Sequence, residues 1–267
     1  MLVLSSSLDR EVQAHKHFTG ATNIYWLNEL MRYVRSEGLL NSFRIYPMVA
    51  RTNYGTGTTV RGLGKLTGNQ MTLVNGPTWG ASGIAFASAS SQYGAIADFL
   101  GSETLTVWHR LSGQSDPVSH PPDVLVAQSD VHLNNRSFMV ASYGSGNGLA
   151  GPSRAGVARS DDGVNNDVYS DKSAVSDWPA DRTVVAQWID GGGRSSWINK
   201  TSESITLNFG APKTTKLNVS VDVTIMAYLN NGVGSNFTSG TAKATAFLTG
   251  SVTTAQRETI TDLINAL

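Results

Sequence analysis

The chain has 267 residues, no cysteine, and 20 basic against 20 acidic residues, a formal net charge of zero. The missing cysteines exclude disulfides and thiolate metal sites, so a core of ordinary size must hold the fold. No Lys/Arg-rich run offers the positive surface that nucleic acid needs, and no apolar run could span a bilayer, so neither partner is expected.

At the start, MLVLSSSLDREVQ has too short an apolar segment, and no basic lead, for a secretory signal, which predicts synthesis in a host cytoplasm. His15 and His17 alternate as they would on one face of a strand, with no third ligand near enough to complete a metal site. A helix is predicted over Asn23–Glu37, where Leu27, Leu30, Met31 and Val34 recur at helical spacing and Gly38 follows as a stop. Next come Phe43–Ala50 and three short strands separated by glycine turns, Thr58–Leu63, Gln70–Asn75 and Trp79–Phe86. This stretch carries almost no side chain that would do chemistry.

Further strands are predicted at Thr104–Leu111, Asp123–Gln128, Arg136–Tyr143, Ala155–Ser160, Arg182–Ile189, Ser195–Asn199, Ser204–Phe209, Leu217–Leu229 and Thr241–Leu248. In the first of them Leu105 and Val107 share a face, Trp108 reads as buried and His109 as pointing outward. Trp26, Trp79, Trp188 and Trp197 also read as core or interface. A closing helix covers about Thr254 to Ala266, with Ala255, Ile260, Leu263, Ile264 and Leu267 as its apolar stripe. Thr253 and Gln256 have the spacing of a capping box. The connections leave no room for βαβ crossovers, so the sheets should be antiparallel. Two segments are expected: residues 1–42 as a helical arm or cap, and residues 43–267 as the sandwich.

The segment from Thr183 to Leu267 resembles the second half of a laminin-G-like, concanavalin-A-like lectin/glucanase domain. VVAQWIDGGG at Val184–Gly193 is similar to a strand and turn of that family, and RSSWINK at Arg194–Lys200 to the strand that answers it. TLVNGPTWGASGIAF at Thr72–Phe86 resembles its opening strands. The resemblance implies an all-β fold, an antiparallel jelly-roll β-sandwich with an N-terminal helix and a short C-terminal helix. It is also similar to such domains in phage and other virion structural proteins.

The glucanase branch of that family carries E-x-D-x-x-E on one strand, so that two carboxylates enter one cleft. No such run occurs here, and no catalytic residue is assigned. The loop SDDGVNNDVYSD at Ser160–Asp171 offers hard oxygen ligands of the kind calcium takes, but its spacing departs from an EF-hand. A solvated hairpin loop is the preferred reading, with no cofactor and no metal site. The glycines around Tyr143–Gly151 follow a strand without opening a helix, which reads as a hairpin tip rather than a phosphate cradle. For glycan binding the available pairings are Tyr143 with Asn147, and Trp178 beside Asp177 and Asp181, although each ring is worth more buried.

The expected function is therefore a non-enzymatic virion structural or accessory protein, a capsid decoration or tail-fibre component displaying a lectin-like sandwich. Its expected partners are other virion proteins and host surface glycans, with a homo-oligomer on the particle. The alternative is a carbohydrate-binding module, and a glycan-cleaving enzyme stands behind that.

Overall fold

The computed structural model describes residues 8–99, 104–114, 123–130, 135–143, 154–159, 167–171, 180–189, 193–202, 205–209, 221–230 and 232–267. Among these residues the strands form two sheets, of nine and eleven strands. In the first, Gly240–Thr249 lies centrally, antiparallel to Phe43–Pro47 on one edge and Leu105–Ser112 on the other. Arg182–Ile189 extends the sheet beyond Leu105–Ser112, and Gly193–Ile198 beyond that. The second sheet runs Ile205–Phe209, Asp167–Asp171, Arg154–Arg159, Asn135–Tyr143, Asp123–Asp130, Val223–Ile225, Tyr93–Ile96, Gln70–Val74, Thr59–Arg61. Each neighbouring pair along that path is antiparallel.

The two sheets stack into a sandwich. Val107, Leu111, Val184, Trp188 and Phe247 of the first meet Met71, Leu73, Ile96, Val126, Val140, Val223 and Ile225 of the second in one core. The opposite face of the first sheet is also buried, under three helices. These are α1 (Arg10–Thr19), α2 (Tyr25–Ser36) and α3 (Thr254–Ala266). Val12, Leu27, Leu30, Met31, Val34, Ile260 and Ile264 pack there on Phe43, Ile45, Trp108, Val185, Ala246 and Leu248. Burying each large side chain contributes roughly 1.5–3 kcal/mol, so the helical layer and the sheet stabilise each other.

Local chemistry sets the helix ends. Asp9 caps α1, its carboxylate accepting from the Glu11 amide at 2.8 Å, and Gly20 ends it in the left-handed region. The same carboxylate takes a two-pronged grip from Arg35 of α2, at 2.6 and 3.1 Å, which ties the helices together. The α3 capping box forms: Gln256 N donates to the Thr253 hydroxyl at 3.2 Å, and Thr253 N to the Gln256 side chain at 3.0 Å.

Several expectations are corrected. His15 and His17 lie on α1, where a spacing of two puts them on different faces; His15 is buried and His17 exposed. Trp79–Phe86 is a tight hairpin, Thr78–Gly80 against Gly83–Phe86, instead of one strand. It turns at Gly83 (φ 144°), where a Cβ would stand 2.4 Å from the Ala242 carbonyl oxygen. The long strand expected over Leu217–Leu229 is divided between Val223–Ile225 and Tyr228–Asn230, because Met226 adopts φ 64° and bends the chain between them. Its amide donates to Leu125 O and its carbonyl accepts from Thr238 N, which holds the bend. Trp26 is half exposed, edge-on to Tyr25, while Trp108, Trp188 and Trp197 are buried.

His109 does not point outward. The first sheet is covered on both faces, so its position opposite Trp108 puts it into the inter-sheet core, fully buried. One ring nitrogen meets the Thr245 hydroxyl at 2.8 Å, and Nε2 has no partner. Burial, reinforced by the Arg182 charge, holds its pKa at about 3. Burial likewise holds His15 at about 4.

Two outcomes follow from these positions. Gly83→Ala should cost about 2 kcal/mol or more of stability, since both the backbone angle and the space oppose a side chain, and urea denaturation would measure it. Both buried histidines are neutral when folded and take up a proton near pH 6.5 when unfolded. Their contribution is complete above pH 6.5 and falls as the pH drops towards 4 and 3. Denaturation at pH 7 and pH 5 should differ by about 2 kcal/mol per histidine, and His109→Gln should reduce that slope by about one proton.

Candidate functional site

Among the described residues no helix covers the outer face of the second sheet. There a groove of about 900 Å³ runs over the Gln70–Val74 and Tyr93–Ile96 strands. The strand period builds its floor. Met71 and Leu73 point into the core, which turns Gln70 and Thr72 outward; Gly94 and Ile96 point inward, which turns Tyr93 and Ala95 outward. Register places Thr72 opposite Ala95 and Val74 opposite Tyr93. The small side chain of Ala95 gives the floor its concavity, and Tyr93 is held from behind by Phe237, with ring centroids 6.0 Å apart.

Arg44 and the segment carrying Asn69 form one end. Arg44 Nε donates to Leu66 O at 2.8 Å, and the Tyr46 hydroxyl donates to Gly68 O, so this wall is fixed to the Phe43–Pro47 strand. Asp98 and Asp222 lie at the same end of the strands, because Gly68 abuts Ala97 and Ile96 pairs with Val223. Burial pushes the Asp222 carboxyl above the usual carboxylate range, and the Asp98 charge pushes it further. Gln128 lies beneath, its Nε2 donating to Phe99 O and Val221 O, both at 3.3 Å, the carbonyls next to each aspartate in sequence. Its Oε1 has no hydrogen-bond partner. Amides, a hydroxyl, a phenol, carboxylates and a guanidinium thus face one open channel. Such a channel offers fixed donors and acceptors beside an aromatic ring, the arrangement that suits a polyhydroxylated ligand; its volume lies within the range of about 300–1,000 Å³ usual for ligand sites.

The residues expected from sequence fall elsewhere. The Tyr143 backbone pairs with Arg154 at the end of its strand, and its side chain lies outside the described residues, as do Asn147 and Trp178. Of the loop considered for calcium, residues 160–166 lie outside them too, and Asp167–Asp171 is a strand paired with Arg154–Arg159 and Ile205–Phe209. Asp181 is described, and it is committed to structure: Arg110 and Lys243 reach it at 2.7 and 2.8 Å. Burial alone would raise its carboxyl, but those hydrogen bonds outweigh burial and lower it. The groove instead draws on the 53–86 stretch that looked empty of chemistry, through Asn69, Gln70 and Thr72. The signal was there in outward-facing Gln70 and Thr72 between inward Met71 and Leu73, but nothing in it marked which outer face stays open. Among the described residues no cluster of three or more His, Asp or Glu could hold a metal ion.

No protein-family model matches the chain, and no curated protein sequence matches it. Solved structures do. The chain is similar to a receptor binding domain at TM-score 0.59 and 7% identity, over 87% of this chain and 53% of the other. It is similar to the binding domain of botulinum neurotoxin DC in complex with SialylT at TM-score 0.56 and 8% identity, over 84% and 52%. A third likeness is to botulinum neurotoxin type C, described as interacting with two ganglioside molecules, at TM-score 0.53 and 8% identity over 85% and 53%. The chain spans about half the length of each of these structures. The likenesses show the fold: a lectin-like antiparallel jelly-roll β-sandwich with N-terminal helices and a short C-terminal helix.

Proposed function

We propose that the chain is a non-catalytic carbohydrate-binding module and that its glycan lies in the groove over Gln70, Thr72 and Tyr93. The observation that carries this reading is the groove itself. It is an open, polar channel with an aromatic flank, built on a sheet face that no helix covers among the described residues. The two neurotoxin structures described with SialylT and with gangliosides support it at the level of class. The virion setting drawn from the sequence resemblance would place this module on a particle surface, which co-purification with particles would check. Deleting residues 1–40 would not test attachment cleanly, because α1 and α2 supply five of the seventeen buried residues of the helix-side core.

A second reading, glycan cleavage, is favoured by one observation, the paired Asp98 and Asp222 at the end of the groove. Incubation with diverse polysaccharides and a reducing-end assay separates the two. No new ends are expected, and ends that vanish in Asp222→Asn would establish cleavage instead.

Binding is tested on a glycan array and then by titration of the best ligand. Tyr93→Ala should weaken binding by about tenfold, the loss of one aromatic contact. Gln70→Ala should weaken it by roughly threefold to tenfold, the loss of one hydrogen bond. Tyr143→Ala and Trp178→Ala serve as controls. If they abolish binding and the groove variants do not, the ligand sits on Tyr143 and Trp178 and not in the groove.

A further inference from the structure

A second cavity, of about 430 Å³, opens between α1 and the Thr59–Arg61 and Leu63–Gly64 strands. It adjoins the groove, since Arg44 and Asn69 line both. Arg44, Arg61 and Lys65 bring three positive charges to its wall, and Glu11 brings the one negative charge.

Among the described residues neither arginine has the carboxylate partner that buried or clustered charges ordinarily have. Arg44 is only 7% exposed. Its Nε and Nη2 both donate to the Leu66 carbonyl, and among the described residues Nη1 has no acceptor and no carboxylate lies within ion-pair distance. Among the described residues Arg61 has no ion pair either; its guanidinium lies 4.1 Å from the centre of the Phe18 ring. Asn53 fixes it from the backbone side, with Nδ2 donating to Arg61 O at 2.8 Å and Oδ1 accepting from Arg61 N at 3.2 Å. The two guanidiniums therefore repel each other across the cavity, and Glu11 offsets that charge without an ion pair to either.

His15 supplies a different group. It is 1% exposed, and Nε2 lies 2.7 Å from Thr52 O. A carbonyl can only accept, so Nε2 carries the proton and Nδ1 holds a bare lone pair. That Nδ1 is buried with no partner, and it wants a donor.

We infer that this cavity is an oxyanion subsite that takes an acidic sugar, with Arg44 and Arg61 holding a carboxylate or sulfate and His15 Nδ1 accepting a neighbouring hydroxyl. A planar guanidinium suits either oxyanion through paired N–H donors. The adjoining acceptor selects for a hydroxyl close to the charge, which a sugar ring supplies and a free inorganic anion does not. The inference rests on the glycan reading only in naming a sugar as the carrier. Gly62 keeps the cavity open: a Cβ there would stand 2.8 Å from Arg44 Cδ and 3.0 Å from Tyr46 Cε1.

The test titrates the full chain at constant ionic strength with methyl glucuronide, methyl glucoside and sodium sulfate, followed by NMR. Methyl glucuronide should bind at least tenfold more tightly than methyl glucoside and should shift the His15 Nδ1 resonance, which sulfate leaves in place. Arg61→Ala with Lys65→Ala, both away from the core, should weaken glucuronide binding by tenfold or more, and Gly62→Ala should do the same by displacing Arg44. Tyr93→Ala should leave it unchanged, which separates this subsite from the groove. Equal binding of glucoside and glucuronide, or unchanged binding in the Arg61/Lys65 variant, would overturn the subsite. Sulfate binding with no gain for the glucuronide would overturn the sugar assignment and leave a plain anion site.

Discussion

The structure depends on one constraint: the first sheet is buried on both faces. Its central strand, Gly240–Thr249, sends Phe247 into the sandwich and Ala244, Ala246 and Leu248 under the helices. An antiparallel sheet usually keeps one face wet. Here the second face must be covered by α1, α2 and α3, so polar groups on it need partners. Trp108 Nε1 donates to the Thr261 hydroxyl at 3.1 Å, and Arg110 spans Asp181 and the Ile264 carbonyl. The helices are thus part of the sandwich's stability and not an appendage to it. They also decide which surface remains open to a ligand.

That constraint explains what could be read in the chain and what could not. Arg182–Ile189 was legible to the residue, because seven successive buried positions followed by turn residues leave little choice of element. The capping box at Thr253 was legible for the same local reason. The orientation of His109 was not. Alternation correctly put it on the face opposite Trp108, but only the three-layer stacking shows that both faces are dry. α1 was missed because its apolar stripe is thin, with Val12 its one buried aliphatic side chain. The evidence for it lay at its ends, in the Asp9 cap and the Gly20 stop. Met226 carried no signal at all: an unbranched residue at positive φ is set by the contacts on either side of it, not by its own preference.

The candidate site was the least legible part, for a geometric reason. Gln70, Thr72, Tyr93 and Asp222 come from segments up to about 150 residues apart in sequence, and each alone is an ordinary strand or loop residue. Only the pairing of Gln70–Val74 with Tyr93–Ile96, and of that strand with Val223–Ile225, sets them side by side. Sequence reasoning offered Tyr143 and Trp178 for glycan contact, while preferring to bury both rings. It had no way to know that a groove would open over the Gln70–Val74 and Tyr93–Ile96 strands.

The same geometry gives meaning to the charges. A chain of zero net charge with few charged residues has little reason to place two arginines and a lysine together, and less to bury one of them. Among the described residues other charges withdrawn from water are answered: Asp9 by Arg35, and Arg110 and Lys243 by Asp181. Arg44 is bound to one backbone carbonyl and shares its cavity with Arg61, Lys65 and a single carboxylate, Glu11. Holding such a group costs stability that a hydrophobic residue at the same place would not. A buried histidine nitrogen without a donor sits at the wall of the same cavity. Two independent polar debts in one cavity are most simply explained by a ligand that settles both, one with an anionic group and a hydroxyl on adjacent atoms.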